Sequence, residues 1–170
     1  VAALIDRLAG PSRTVHIHGR ARILPRTTSE AAGPVLEPHR QRPYPGILGQ
    51  LKLAYLFVDT QLTWRVAIPR ILHRGSHVVV ERGWWDIVVD PRRYRVSDRQ
   101  LARRLGRFVP RPRLHIVLHA DARTLFDRKG ELTVEELDRQ QQAWQRLLRP
   151  GPGVLWLDAA RPIDDLVAQA

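Results

Sequence analysis

The chain has no cysteine, no methionine and only two lysines, Lys52 and Lys129, and no apolar run in it is long enough to span a bilayer. The missing cysteine excludes disulfides, thiol nucleophiles and cysteine-ligated metals, and it is compatible with the cytosol, where the protein is expected to reside. The missing apolar run argues against a membrane-spanning role. Methionine is lacking even at position 1, where Val1 stands.

What is present is arginine. The 170 residues carry a net charge of +11, which favours polyanionic partners such as nucleotide phosphates, nucleic acid or acidic membrane. The arginines are spread along the chain rather than gathered in one arm, which argues against nucleic acid. An Arg-rich nucleic-acid binder stays as an alternative. The length suits one α/β domain with its own core.

Val1, Leu4, Ile5 and Leu8 keep helical spacing before Gly10-Pro11, with no N-cap to begin the helix. Residues 13–18 alternate as a strand. Residues 20–45, with five prolines, read as a flexible excursion over a ligand face or a disordered flap. A long helix is predicted from Gly46 to about Arg74, with a stripe of Leu48, Leu51, Tyr55, Val58, Leu62 and Val66, and with a kink or end at Pro69. Val78-Val79-Val80, between Gly75 and Gly83, reads as a strand buried on both faces. An aromatic loop, Trp84-Trp85, is expected next. Ser97 with Gln100 forms a capping box for a helix that turns Leu101, Leu105 and Phe108 inward. A strand over 114–120 follows, then a short helix from Asp121 through Leu125. A second capping box, Thr133 with Glu136, opens a helix to about Arg149. Val154 to Leu157 is the last strand, and Pro162 opens a closing helix. Strands alternating with helices predict parallel βαβ units in a layered α/β domain.

Ligands of open α/β sheets bind beyond the carboxyl ends of the strands. Glu81, Arg82, Trp84, Asp86, Arg92 and Arg93 all follow the triple-valine strand. A guanidinium fork there matches phosphate oxygens two at a time; an ordinary strand-end ion pair is the bland alternative. Arg123, Arg128 and Lys129 gather after the next strand, where cations can neutralise a phosphoryl group or complement the negative end of a helix. His16 with His18 and His115 with His119 share strand faces without a carboxylate partner, so a metal there is not expected. The sequence contains no Gly-x-x-x-x-Gly-Lys-[Ser/Thr], no Gly-x-Gly-x-x-Gly after a strand and no Gly-x-Ser-x-Gly.

In order and spacing, Val-Val-Val-Glu-Arg-Gly83, Asp86 to Tyr94, Pro112 to Asp121, Arg128-Lys-Gly-Glu-Leu132, Glu136 to Gln140 and Leu157-Asp-Ala159 resemble the thymidylate kinase-like P-loop proteins. The resemblance runs over residues 1–170 and is weakest over 20–45. It implies a three-layer fold, a five-stranded parallel sheet between helices, acting as a phosphotransferase from ATP with Mg²⁺ to a nucleotide or other small acceptor. It places Glu81 near the metal and acceptor phosphate, and Arg82 on that phosphate. Trp84, Asp86, Arg92 and Arg93 belong to the acceptor side. Arg128 and Lys129 fall in the lid over ATP, with Arg123 and Asp158 on the cofactor side. Asp59 matches the Asp of a family Asp-Arg pair, but Thr60 stands in place of the Arg and Gly83 in place of an aromatic. These departures put thymidylate itself in doubt as the acceptor.

The family's phosphate loop is missing, and its strand is expected to lie before Val1 and to sit between the Val78 and Leu114 strands. The 170 residues are therefore expected to be a truncated form, with a gap in the sheet, low stability and weak or no ATP binding. A non-catalytic nucleotide- or partner-binding remnant is the alternative, and association into a homodimer is left open.

Overall fold

A computed structural model of the protein describes residues 14–18, 39 and 42–169. The helix expected over 1–8 and most of the 20–45 excursion lie outside the described residues, as do the side chains of His16, His18 and Lys129. The architecture is mixed α/β with parallel strand pairing. Two compact units form, one within Leu8–Pro110 and one within Arg111–Ala170.

In the first unit β1 (Thr14–His18) pairs in parallel with β2 (His77–Glu81), Val15 opposite Val78 and His18 opposite Glu81. The valines of β2 are half-buried rather than sealed on both faces as expected, since β1 is the one strand hydrogen-bonded to β2 among the described residues. The expected strand between those beginning near Val78 and Leu114 has no counterpart among the described residues, and the two strands belong to separate sheets.

Helix α1 (Gly46–Leu62) continues through a π-helical turn, Thr63–Ala67, into α2 (Ile68–Leu72). Pro69 accounts for the widened turn. Its ring cannot tolerate the carbonyl of Arg65 four residues back, and the Ile68 N–H reaches five residues back to Thr63 instead. The stripe beginning at Leu48 is not the core face. Leu53, Leu56, Asp59, Thr60 and Thr63 are buried, whereas Leu48 and Leu51 are each 60% exposed. The helix is apolar on both sides, so spacing alone selects two faces.

Trp84 and Trp85 lie in a helix, α3 (Trp84–Val89), and not in a loop. Trp84 is 2% exposed, its ring edge-on to Phe57 at 5.5 Å, and its Nε1–H donates to the Ala102 carbonyl at 2.9 Å. Helix α4 (Arg99–Leu105) is capped by Asp98, whose carboxylate accepts from the Leu101 N–H at 2.8 Å; Ser97 is not the cap. The chain then tightens into a 3₁₀ turn, Gly106–Phe108, against the ring of Trp85, where a Cβ on Gly106 would lie 2.8 Å from that ring. The tighter winding carries Phe108 out of the inward face expected for it, leaving it 65% exposed.

In the second unit β3 (His115–His119) pairs in parallel with β4 (Val154–Asp158), His119 opposite Asp158. Helix α5 (Ala122–Lys129) is capped by Asp121, runs one turn beyond the expected end at Leu125, and stops at Gly130 with φ +58°. Helix α6 (Val134–Leu147) has Thr133 as its N-cap, with the Glu136 N–H donating to the threonine hydroxyl at 3.3 Å. Glu136 itself accepts from Arg139 at 2.6 and 2.7 Å and from Gln140 at 2.9 Å. Helix α7 (Ile163–Gln169) closes the described chain, with Asp164 and Asp165 in its first turn. Val117, Ala120, Ala143 and Leu157 form the buried apolar centre of this unit.

Candidate functional site

The carboxyl end of β2 is where titratable groups gather. Arg82, the residue after the strand, adopts the left-handed conformation with φ +61°, which a side-chain-bearing residue enters at a cost of about 1 kcal/mol or more. That twist turns the chain from strand to α3 in two residues. Asp86, in the first turn of α3, accepts the Gly83 N–H at 2.8 Å, closing the turn from the other side. The Tyr94 hydroxyl accepts a hydrogen bond from the Arg82 guanidinium.

Burial sets the electrostatics here. It pushes the Asp86 carboxyl up to about 6, against the opposing pull of the Gly83 N–H and of Arg82 and Arg93. Tyr94 is raised well above the usual phenol range, chiefly by burial and next by the Asp86 charge, while Arg82 and Arg93 oppose the rise. Two guanidiniums, an acid poised near neutrality and a phenol thus face one another across a single strand end.

The turn carrying Arg92, Arg93 and Tyr94 is fixed from below. Asp90 is buried, accepts the Arg93 N–H at 3.2 Å and meets His39 Nε2 at 2.7 Å. Arg95, also left-handed at φ +56°, lies 3.9 Å over the Tyr44 ring. It donates to the Tyr44 hydroxyl at 3.0 Å and to the Arg42 carbonyl at 3.1 Å. Tyr94, Asp90 and Arg95 were not among the site residues expected from sequence. The Asp90-Pro91 pair, a turn-forming dipeptide, was the available signal.

Of the expected acceptor-side residues, the structure brings together Arg82, Asp86 and Arg93. Glu81 is half-buried at the end of β2, and Arg92 is exposed on the neighbouring turn. Trp84 belongs to the core. Asp59 is fully buried on α1, and Thr60, beside it, turns its hydroxyl back to the Leu56 carbonyl at 2.8 Å. In the second unit Arg128 donates to the Ala159 carbonyl at 2.8 Å, while Arg123 pairs with Asp127 at 3.4 Å in solvent. Asp158 accepts from the Ala160 N–H at 2.9 Å.

ATP and Mg²⁺, the groups implied by the resemblance, fit this chain unequally. Backbone N–H groups that could cradle phosphate after β2, β3 and β4 are taken by the chain's own aspartates: Gly83 by Asp86, Thr124 by Asp121 and Ala160 by Asp158. The carboxylates after β3 and β4, on the side that the resemblance assigns to ATP, repel phosphate, so those two turns do not fit the ATP phosphates. Glu81 offers one carboxylate oxygen donor, which suits Mg²⁺ only together with phosphate oxygens from a ligand.

No known family model matches the chain, and no curated protein matches it in sequence. Among the described residues no helix is long and apolar enough to cross a membrane.

Proposed function

We propose that the chain binds the phosphate of a nucleotide or another small phosphorylated acceptor at the carboxyl end of β2, as the acceptor side of a thymidylate kinase-like phosphotransferase. The observation that carries this reading is Arg82. A cation held in a costly left-handed turn at a strand end, beside Arg93 and braced by Tyr94, is placed where open α/β sheets take their ligands. Arg82 and Arg93 supply the charge that a phosphate dianion needs, and Asp86 can stay protonated near pH 6 beside it. Asp86 acts by holding the Gly83 turn, and so positions Arg82. The layered, P-loop kinase-like sheet that accompanies this reading is part of the proposal; parallel pairing in each sheet supports it.

Transfer of a γ-phosphate from ATP, with Glu81 near Mg²⁺, is the activity implied by the resemblance. No step is assigned to it, because the phosphate-cradling turns are self-capped. The same self-capping favours a second reading, a protein of this fold that binds a nucleotide or partner without catalysis.

Thermal unfolding with nucleoside monophosphates against their nucleosides tests acceptor binding. A saturable rise in Tm with the monophosphate, absent with the nucleoside and lost in Arg82→Ala, is expected. No rise with any monophosphate, or an equal rise with random-sequence DNA that collapses steeply with salt, overturns it.

A further inference from the structure

Residues 42–52 and 91–97 of the first unit meet where the Tyr44 N–H donates to the Arg95 carbonyl at 3.2 Å. Between them the two segments carry Arg42, Lys52, Arg92, Arg93 and Arg95 and not one carboxylate. The acids at either end of the second segment are engaged elsewhere. Asp90 meets His39 and the Arg93 N–H, and Asp98 caps α4. Arg93 belongs to the cluster at the end of β2. The other four cations leave a concentrated positive charge that the phosphate site at that strand end does not use.

Tyr44 is the centre of that charge. Lys52 Nζ lies 5.0 Å from the centroid of its ring and the Arg95 guanidinium 3.9 Å, so two cations share one aromatic ring. The ring attracts each of them, while the two repel each other. Arg95 is fixed in this position: its N–H donates to the Arg92 carbonyl at 2.9 Å, its Nε–H to the Arg42 carbonyl at 3.1 Å and its Nη1–H to the Tyr44 hydroxyl at 3.0 Å. Its backbone is left-handed at φ +56°, a second cost at the same residue. Strain of this kind persists where the surroundings over-determine it, and it collects at ligand clamps. The donors that remain are those an anion needs. Arg95 Nη2 and the hydrogen of the Tyr44 hydroxyl make no hydrogen bond among the described residues.

Charge selects the anion. Arg42 and Arg92 are exposed on the same two segments as the clamp, so Arg42, Lys52, Arg92 and Arg95 together match a ligand of roughly three to four negative charges, that of two linked phosphates. A single phosphate meets only part of this charge. A nucleic-acid strand needs the positive stripe to continue, whereas Asp90 and Asp98 bound it on either side. We propose that Arg95, Lys52 and Tyr44 form a second anion site in the first unit, which takes a diphosphate group. The site stands independently of the phosphate site at the end of β2.

Thermal unfolding of the full chain with inorganic pyrophosphate, without divalent metal, tests it. A saturable rise in Tm beyond that given by sulfate at equal ionic strength is expected, and it should survive Arg82→Ala. Arg95→Gly removes the guanidinium at a backbone conformation glycine favours and should abolish the rise. Lys52→Gln alters only a half-buried side chain, so it keeps the test open if Arg95→Gly fails to fold; it should weaken pyrophosphate binding roughly tenfold or more. A parallel titration with a nucleoside diphosphate separates the two sources of the group. Tighter binding than pyrophosphate assigns the site to a nucleotide, equal or weaker binding to the free anion, and both bear out a diphosphate site. Pyrophosphate that stabilises no more than sulfate, or whose effect is lost in Arg82→Ala and kept in Lys52→Gln, overturns the proposal.

Discussion

The carboxyl ends of β2 and β3 are built from the same kinds of residue and behave in opposite ways. Each strand runs into a turn closed by an aspartate that accepts a backbone N–H, Asp86 after β2 and Asp121 after β3. Arginines stand within a few residues of both. After β2 the aspartate is enclosed and its carboxyl rises to about 6, because burial outweighs its hydrogen bond and two neighbouring cations. After β3 the aspartate is open to water, and hydrogen bonds from the Thr124 side chain and N–H hold it below the usual carboxylate range. The difference lies in what covers each turn. The first sits against the Trp84 core and under the Tyr94 turn, the second in solvent. Asp86 reaches back from the third helical position to the N-cap N–H and Asp121 reaches forward from the N-cap itself, and only the first joins a coupled cluster, because apolar packing removes water from it.

The largest effect should come from removing that packing. Trp84→Ala deletes a nearly sealed indole, its edge-on contact with Phe57 and its hydrogen bond to Ala102, and it should cost about 3–5 kcal/mol. Denaturant titration of the first unit's unfolding checks this. The same change at the half-buried Trp156 of β4, whose Nε1–H donates to the Leu148 carbonyl at 3.0 Å, should cost distinctly less.

A smaller effect should appear in the pH profile. With its folded value raised from 3.8 to about 6, Asp86 binds a proton in the folded state that the unfolded chain has already lost. Stability therefore falls as pH climbs from about 4 to 6 and stays lowered above that. Asp86→Asn keeps an acceptor for the Gly83 N–H and removes the ionisation. It should be more stable than the parent at pH 8 by about 1–2 kcal/mol and equal to it near pH 4, read from paired urea titrations. A parent profile that rises through this window would show Asp86 to be ionised at little cost.

Much of the secondary structure could be read from the chain, because the four strands among the described residues are short Val-, Ile- or Leu-bearing runs bounded by glycine, proline or aspartate. Thr14–His18, His77–Glu81, His115–His119 and Val154–Asp158 each fall on an expected strand, and the pairing is parallel as the alternation with helices requires. What could not be read was orientation. On α1 the residues at Leu48 and at Leu53 are equally apolar, so no periodicity says which row meets the core. Phe108 left the inward face because a 3₁₀ turn changed the winding after Leu105. Of the candidate site, Arg82, Asp86 and Arg93 were legible as charges after an apolar strand. Tyr94, Asp90 and Arg95 act through turn geometry and burial, which sequence spacing does not encode.

The smallest effect should be found after β3, where Arg123 and Arg128 look alike in sequence. Arg123 meets Asp127 at 3.4 Å with both side chains mostly in water, a helix-surface pair spaced i to i+4. Such a pair is screened by salt and offset by side-chain entropy, so Arg123→Ala should change stability by ~0.5 kcal/mol or less and by less still in high salt. Arg128 instead reaches the Ala159 carbonyl just beyond β4, and so ties α5 to the end of that strand. Arg128→Ala should leave the helix content unchanged but speed hydrogen exchange of the amides at the end of β4, whereas Arg123→Ala should not. Exchange measured residue by residue separates the two arginines. If the amides at Asp158 and Ala159 exchange at the parental rate in Arg128→Ala, the tether contributes nothing, and both arginines are solvated charges left over from a strongly basic composition.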